Sequence, residues 1–229
     1  MALLTSIVSY YKLQSDGTDS VGSNTLAPGT APTYSAGKIG NGASFASASS
    51  QYLNGSTFAG SSSYACNFWL NPTTLPSSFT PVSKDDVSTK RIFNPVFDAT
   101  NLTLFAWGAG QAFHQTTGAA HGMSTGTFYM WTIVWDAPNN LVTVYKNASS
   151  FATISLSGNE SADTTSNNLT LGRQNNATNY TNGVVDEVGI WSRALTSAEV
   201  TTLYNAGSGN QYPFGELGVV AGNFLMMGI

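Results

Sequence analysis

The most strongly patterned part of the chain is residues 182–207, NGVVDEVGIWSRALTSAEVTTLYNAG, which indicates a buried strand followed by one short helix. Successive side chains of a strand point to opposite faces. The pattern therefore predicts one face that carries Val184, Val188 and Ile190 and an opposite face that carries Val185 and Trp191. A strand that is apolar on both faces belongs in the interior of a folded domain.

The start of the helix is marked more clearly than any other boundary. Thr196 is a good N-cap residue, and Glu199 three positions later completes a capping box. Leu195 and Val200 are spaced to form a hydrophobic staple across the first turn. Gly207 is a natural left-handed stop. The sequence predicts one short helix close to the C-terminus.

The rest of the chain consists of short runs with β-type alternation, separated by turn residues. Residues 128–136 alternate strongly, and residues 91–97 and 102–107 indicate a hairpin. We count about a dozen such runs, at a spacing typical of a sandwich or barrel. The predicted fold class is all-β: a two-sheet antiparallel sandwich with one short C-terminal helix.

Composition excludes some partners and membrane insertion. Charged residues make up 9% of the 229 residues and the net charge is -4, so no basic stripe exists to meet the phosphates of a nucleic acid. No segment approaches the ~18 apolar residues of a membrane-spanning helix. Cys66 is the single cysteine and lies in an apolar run, which favours a buried thiol.

Five segments in this order resemble the laminin-G-like, concanavalin-A-type jelly roll. They are IVSYYKL, SAGKIGNGASF, WTIVWD followed by LVTVYKN, NLTLGR, and GVVDEVGIWSRALTSAEVTTLYNAG. The resemblance implies two curved antiparallel sheets, one concave and one convex, in a single domain over residues 1–214. It also implies a module that binds carbohydrates or proteins, of a kind found in extracellular, bacterial and phage surface proteins.

Catalytic chemistry is not indicated by the sequence. Glycosidases on this fold need two carboxylates on one sheet face, about 5–5.5 Å apart in retaining enzymes. Asp186 and Glu187 are adjacent and so are expected to point to opposite faces, and Asp85 and Asp86 have the same spacing. No Gly-x-Ser-x-Gly elbow occurs. We expect no enzyme activity and assign no catalytic residue.

Asp186 is expected on the apolar face of its strand, where a carboxylate needs a partner. One interpretation is hydrogen bonding to nearby backbone amides or to Arg173 or Arg193. The other comes from the resemblance, which implies a structural calcium near this strand, with Asp16, Asp19 and Asp186 as candidate ligands. Calcium takes 6–8 oxygen ligands. The acidic residues that the family carries in the segment matching residues 45–52 are missing, so both interpretations stay open.

The longest segment without periodicity is residues 108–126, and long loops inside a domain are often functional. It holds both histidines, which form either a metal pair or ordinary polar loop residues. Phe113 lies in the segment and Trp107 and Tyr129 lie beside it, so one of the three is a candidate to stack on a sugar ring, although ordinary packing is the simpler explanation. The candidate ligand-binding residues are Trp107, Phe113, His114, His121 and Tyr129. Three other tryptophans are predicted in the core: Trp69, Trp131 and Trp135.

Residues 215–229 form an apolar tail that would be costly to leave in water. The tail either folds back or docks onto another subunit, giving a homo-oligomer or a particle. We therefore expect a non-catalytic structural or adhesion module on a virion surface, as a decoration, fibre or tail-associated protein that contacts host glycans. The alternative is an extracellular location, as a secreted bacterial carbohydrate-binding module of a larger protein.

Overall fold

The computed structural model describes residues 2–58, 61–85, 91–163 and 167–215. Within these residues the chain forms strands and one α-helix, α1 (Ser197–Tyr204). The strands are β1 (Ile7–Tyr11), β2 (Ala27–Thr30), β3 (Thr33–Ala36), β4 (Asn41–Phe45), β5 (Tyr52–Phe58), β6 (Tyr64–Pro72), β7 (Val82–Asp85), β8 (Arg91–Phe97), β9 (Asn101–Trp107), β10 (Phe113–Gln115), β11 (Ala119–Ala120), β12 (Tyr129–Asp136), β13 (Leu141–Lys146), β14 (Ser149–Ser155), β15 (Asn167–Leu171) and β16 (Gly183–Trp191).

The strands form two antiparallel sheets. The first sheet has the order β14-β13-β12-β6-β16-β4-β3, and β1 also pairs with β16. The second sheet has the order β10-β9-β8-β7-β15-β5-β2, and β11 also pairs with β9. Each sheet contains neighbours that are distant in sequence, such as β6 with β16 in the first sheet and β7 with β15 in the second, so the architecture depends on long-range pairing. This arrangement confirms the predicted all-β sandwich.

The main hydrophobic core lies between the two sheets and is rich in aromatic side chains. Trp131 and Trp135 of the first sheet are fully buried there, as predicted. Phe97 of the second sheet meets Trp131 edge-on, with 5.1 Å between the ring centroids. Cys66 is also fully buried, which confirms the predicted buried thiol, and burial raises the pKa of that thiol. Large rings that interlock across the gap stabilise one relative position of the sheets.

A second apolar cluster covers the outer face of the first sheet. Helix α1 contributes Val200 and Leu203, and the sheet contributes Trp69 and Trp191. The ring of Trp69 stacks on Tyr204, with 5.8 Å between centroids. Trp69 is thus buried as predicted, but beneath the helix rather than between the sheets. Because α1 has eight residues, no helix in the described part of the chain is long enough to cross a membrane.

The helix begins as predicted but ends earlier. The Thr196 side chain accepts the Glu199 amide, and the Glu199 carboxylate accepts the Thr196 amide at 2.8 Å, which confirms the capping box. The left-handed residue that ends the helix is Asn205, with φ of 47°, rather than Gly207. Asparagine tolerates this conformation better than most residues, so the helix stops two positions before the glycine.

The predicted faces of β16 are wrong in one half of the strand. Val185, not Val184, joins Val188 and Ile190 in the main core. The reason is a bulge: the register with β6 shifts between Asp186 and Gly189, and Glu187 has a φ of 51°. The bulge adds one residue to the strand, so the side chains before it point to the opposite faces from those that a regular alternation continued from the later residues would give.

Two stretches that lack periodicity contain paired strands. Residues 108–126 include β10 and β11, which both pair with β9. The Pro/Gly-rich stretch before Pro32 includes β2, which pairs with β5 at the edge of the second sheet. An edge strand of two to four residues, exposed on most positions, carries too few apolar side chains to show a period.

Candidate functional site

Three aromatic side chains form a patch on the outer face of the second sheet. Phe113 of β10 is 50% exposed. Its ring centroid lies 4.7 Å from that of Trp107 and 6.2 Å from that of Phe105. We call Phe105, Trp107 and Phe113 the aromatic patch. Monomeric proteins seldom leave large rings clustered in solvent, so the patch is a candidate contact surface.

The alternation of β9 places these rings on the outer face. Leu102, Leu104 and Ala106 are buried in the main core, while Phe105 and Trp107 at the intervening positions are half-buried. Phe113 pairs directly with Trp107 across the β9–β10 ladder. Trp107 and Phe113 were predicted from the sequence as candidate ligand-binding residues. Phe105 was not, although even spacing along the predicted strand puts Phe105 beside Trp107.

Amide side chains flank the patch on both neighbouring strands. Gln115 of β10 and Asn94 of β8 both pair with Phe105. Gln115 is exposed, whereas Asn94 is buried on this outer face. An amide group both donates and accepts hydrogen bonds. The open edge of the second sheet therefore combines apolar rings with a neutral, exposed hydrogen-bonding group.

The segment after β15, which includes Arg173 and Asn175, covers the middle of the outer face of the second sheet. Ser83 and Thr170 lie on the outer face but are fully buried. Ser83 donates from Oγ to the carbonyl of Arg173 at 3.2 Å, and Thr170 donates from Oγ1 to Asn54 Oδ1 at 3.1 Å. The Asn175 amide reaches the same strands, donating at 2.7 Å to a β7 carbonyl. The covering segment leaves the aromatic patch at the β9–β10 edge accessible.

His114 lies directly behind the patch rather than in it. It pairs with Ala106, so it faces the interior, and its ring meets Trp135 edge-on at 5.6 Å. Its Nε2 lies 3.0 Å from both carboxylate oxygens of Glu160. The indole of Trp135 donates to the Glu160 carbonyl at 2.9 Å. These contacts tie β10 to the first sheet and hold Phe113 in position.

The other two candidate ligand-binding residues lie elsewhere. His121 is 2% exposed, its Nδ1 accepts the Met123 amide at 3.0 Å, and its Nε2 lies 3.1 Å from a carbonyl oxygen. Tyr129 belongs to the first sheet and accepts the Ser124 amide at 3.0 Å. Lys146 contacts both, with Nζ on the His121 carbonyl and 4.6 Å from the Tyr129 ring centroid. His114 and His121 do not form a pair, because they occupy opposite ends of β9.

The three candidate calcium ligands are not brought together. Asp186 accepts the amides of Lys38 and Ile39 at 2.7 and 3.0 Å, so its nearest partners are backbone amides. Burial raises the pKa of Asp186 to about 7, and these bonds oppose that rise. Asp19 accepts three other amides, and Asp16 is exposed. Among the described residues, no group of three His, Cys, Asp or Glu side chains is placed to hold a metal ion. Calcium binding stays a prediction.

The expectation that the adjacent acids Asp186 and Glu187 point to opposite faces is wrong. Val185 and Val188 on either side of them both enter the main core, so the bulge leaves both acids on the outer face of the first sheet, where Asp186 pairs with Trp69 and Glu187 contacts Tyr10. Glu187 is 1% exposed and accepts hydrogen bonds from the Tyr10 hydroxyl and the Gln211 amide. Burial and the neighbouring Asp186 charge raise the pKa of Glu187 to about 8. Of the other adjacent pair, Asp85 is buried and accepts Gln174 Nε2 at 3.2 Å, and Asp86 lies outside the described residues.

The architecture defines the class of this protein as a jelly-roll β-sandwich with an exposed aromatic edge. The family model of the concanavalin A-like lectin/glucanases superfamily matches residues 39–201, which is more than half of the chain. The chain therefore belongs to that superfamily. A comparison with curated protein sequences finds no match.

Solved structures share the fold at low sequence identity. The binding domain of paraclostridial mosquitocidal protein 1 superposes with a TM-score of 0.71 and 17% identity, over 90% of this chain and 53% of that one. The receptor-binding domain of botulinum neurotoxin D gives 0.67 and 12%, over 90% and 54%. This chain thus spans about half of each toxin domain. Domain 4 of an extracellular arabinanase from Geobacillus stearothermophilus, solved with arabinotriose, gives 0.61 and 19%, over 85% and 96%.

Proposed function

We propose that this chain is a non-catalytic, surface-displayed module that binds glycans through the aromatic patch. The observation that carries the proposal is the half-exposed Phe113 ring in contact with Trp107. A pyranose or furanose ring has an apolar C–H face, which covers an exposed aromatic ring and removes its surface from water. The patch offers such rings at an open edge of the sheet.

The neighbouring groups suit a neutral sugar. Gln115 lies beside Phe105 and is exposed, so its amide can donate to and accept from sugar hydroxyls. The patch itself adds no charge. A ligand without carboxylate, sulfate or phosphate groups meets these side chains without burying an unpaired charge. We therefore expect neutral oligosaccharides to bind in preference to acidic ones.

Solved structures with the same fold support a binding function. The toxin domains that share this fold are named as binding or receptor-binding domains, and the arabinanase domain was solved with arabinotriose. At 12–19% identity the similarity concerns the fold. The aromatic patch is the feature of this chain that supports a carbohydrate ligand.

The absence of catalysis is part of the proposal. The Asp186 carboxylate accepts hydrogen bonds from backbone amides, and the Glu187 carboxylate accepts them from the Tyr10 hydroxyl and the Gln211 amide. These acids lie on the sheet opposite the aromatic patch. We expect polysaccharides incubated with the protein to release no reducing ends. Sugar release that Glu187→Gln abolishes would overturn this part of the proposal.

Binding is tested by calorimetry with arabinotriose as the first probe and by a glycan array. Phe113→Ala is expected to weaken affinity at least ~5-fold, because truncating a hot-spot residue costs more than about 1 kcal/mol. Leu4→Ala is the matched control, since Leu4 is also a large exposed hydrophobic residue, at 40%, but lies near the N-terminus. No array signal for the wild type, or equal effects of the two variants, would overturn the proposal.

The finer proposal is that the module is displayed on a virus or phage particle and assembles through its apolar tail. The low charge content and the apolar composition of residues 215–229 motivate it; residues 216–229 lie outside the described part. Deleting residues 218–229 should leave a folded monomer that no longer assembles, as measured by light scattering. An unchanged assembly would contradict this idea. The alternative, a secreted carbohydrate-binding module, is favoured by the 96% coverage of the arabinanase domain.

A further inference from the structure

A cavity of about 520 Å³ opens at the edge of the sandwich remote from the aromatic patch. It lies between β2, the edge strand of the second sheet, and β3, the edge strand of the first. The loop at residues 15–18 forms its third wall. Ligand sites of small molecules typically have volumes of ~300–1,000 Å³, so the cavity is of a suitable size.

The floor of the cavity is part of the main core. Leu26 and Leu53 line it and are 2% and 1% exposed. The Leu26 amide donates to the Gly17 carbonyl at 2.9 Å, which fixes the loop wall against the floor. A Cβ atom at Gly17 would lie 2.3 Å from the Leu26 carbonyl oxygen, so this close approach requires glycine. Backbone contacts therefore fix the position of the loop wall relative to the floor.

One carboxylate and one aromatic ring stand at its entrance. Among the described residues that line the cavity, Asp16 alone carries a formal charge, and it is exposed. Asp16 accepts the Thr18 amide at 2.9 Å through Oδ1. Tyr34 is half-buried and packs against the main core. Burial and the Asp16 charge raise the pKa of the Tyr34 phenol. A local excess of negative charge next to an aromatic ring favours a positively charged ligand.

We propose that this cavity binds a small organic cation, namely a primary amine carried on an apolar group. The ammonium group would lie between the Asp16 carboxylate and the Tyr34 ring, and the apolar group would cover the exposed Ala27 and Pro28 of β2, which also line the cavity. A carboxylate supplies a charge-assisted hydrogen bond, and the apolar side chains of the β2 wall supply contact area. The inference is independent of the glycan-binding proposal, because the two sites lie at opposite edges of the second sheet.

The experiment is a two-dimensional NMR titration of the wild-type protein with benzylammonium chloride, compared with benzyl alcohol as a neutral isostere. We expect shift changes at Tyr34, Leu53 and Gly17, and an affinity for the ammonium at least ~10-fold above that for the alcohol. Asp16→Asn should abolish this preference while keeping the fold, because asparagine still accepts the Thr18 amide. Asp136→Asn, which alters a carboxylate of the β12–β13 turn, should leave the preference unchanged.

Four results would overturn the proposal. The first is equal affinity for the ammonium and the alcohol. The second is an Asp16→Asn variant that binds benzylammonium as the wild type does. The third is displacement of benzylammonium by calcium at equimolar concentration, which would assign Asp16 to a metal site. A wild type without shift changes at the lining residues also contradicts it.

Discussion

Replacing Glu187 by glutamine should stabilise this protein at alkaline pH and leave its stability unchanged at acidic pH. Glu187 is buried between the Tyr10 hydroxyl and the Gln211 amide, and burial raises its pKa to about 8. The charge of Asp186 adds to the rise, and Lys12 opposes it. In the folded state the side chain therefore stays protonated in a pH range where the unfolded chain is ionised.

The sign and size of the effect follow from linkage. Because the pKa of Glu187 is raised in the folded state, its protonated form contributes to the free energy of unfolding. This contribution is fully present below the ordinary pKa of 4.5 and is lost as the pH rises to about 8. The interval of about 3.5 pH units, at about 1.4 kcal/mol per unit, sets an upper limit of about 5 kcal/mol. Glutamine resembles the protonated acid, and its oxygen still accepts the Tyr10 hydroxyl. The variant should therefore match the wild type near pH 4.5 and exceed it by a few kcal/mol at pH 8.

The assay is urea denaturation of both proteins at several pH values from 4.5 to 8.5. The difference between them reports Glu187 together with its electrostatic coupling to Asp186, whose pKa is also raised and which remains in the variant. Asp136→Asn is the control and should shift the curve by less than about 0.5 kcal/mol at every pH. A difference between wild type and Glu187→Gln that does not change with pH would refute the argument.

Three further predictions concern the helix, the cavity wall and the aromatic patch. Thr196→Ala removes the N-cap and should cost about 1 kcal/mol in urea denaturation, whereas Thr196→Ser should cost little; equal costs would contradict the capping argument. Gly17→Ala forces a Cβ atom onto the Leu26 carbonyl and should cost about 2–3 kcal/mol; a neutral result would show that the loop can move. His114→Ala should weaken sugar binding by releasing the strand that carries Phe113, and unchanged affinity in calorimetry would show that His114 does not position Phe113.

Local patterns were sufficient for the class of fold and for several details. The alternation of residues 128–136 predicted β12 and its buried tryptophans, and the spacing of Thr196 and Glu199 predicted the helix start. These features are local because a period of two and a capping box involve residues a few positions apart. Two of the three rings of the aromatic patch, Trp107 and Phe113, were predicted from their position at the segment without periodicity, residues 108–126.

Other features depend on contacts between distant segments, which a single sequence does not display. The bulge at Glu187 decides that Val185 rather than Val184 enters the core. Pairing with β9 turns an apparently irregular stretch into β10 and brings Phe113 beside Trp107.

The sequence by itself determined the strand periods, the capped helix and the absence of a basic surface. Only the tertiary structure decided which strands are neighbours, and hence that three rings from two strands meet at one edge while His121 and Tyr129 lie elsewhere. The physical reason is that side-chain period is a property of a short segment, whereas pairing and register depend on the burial achieved by the whole sandwich.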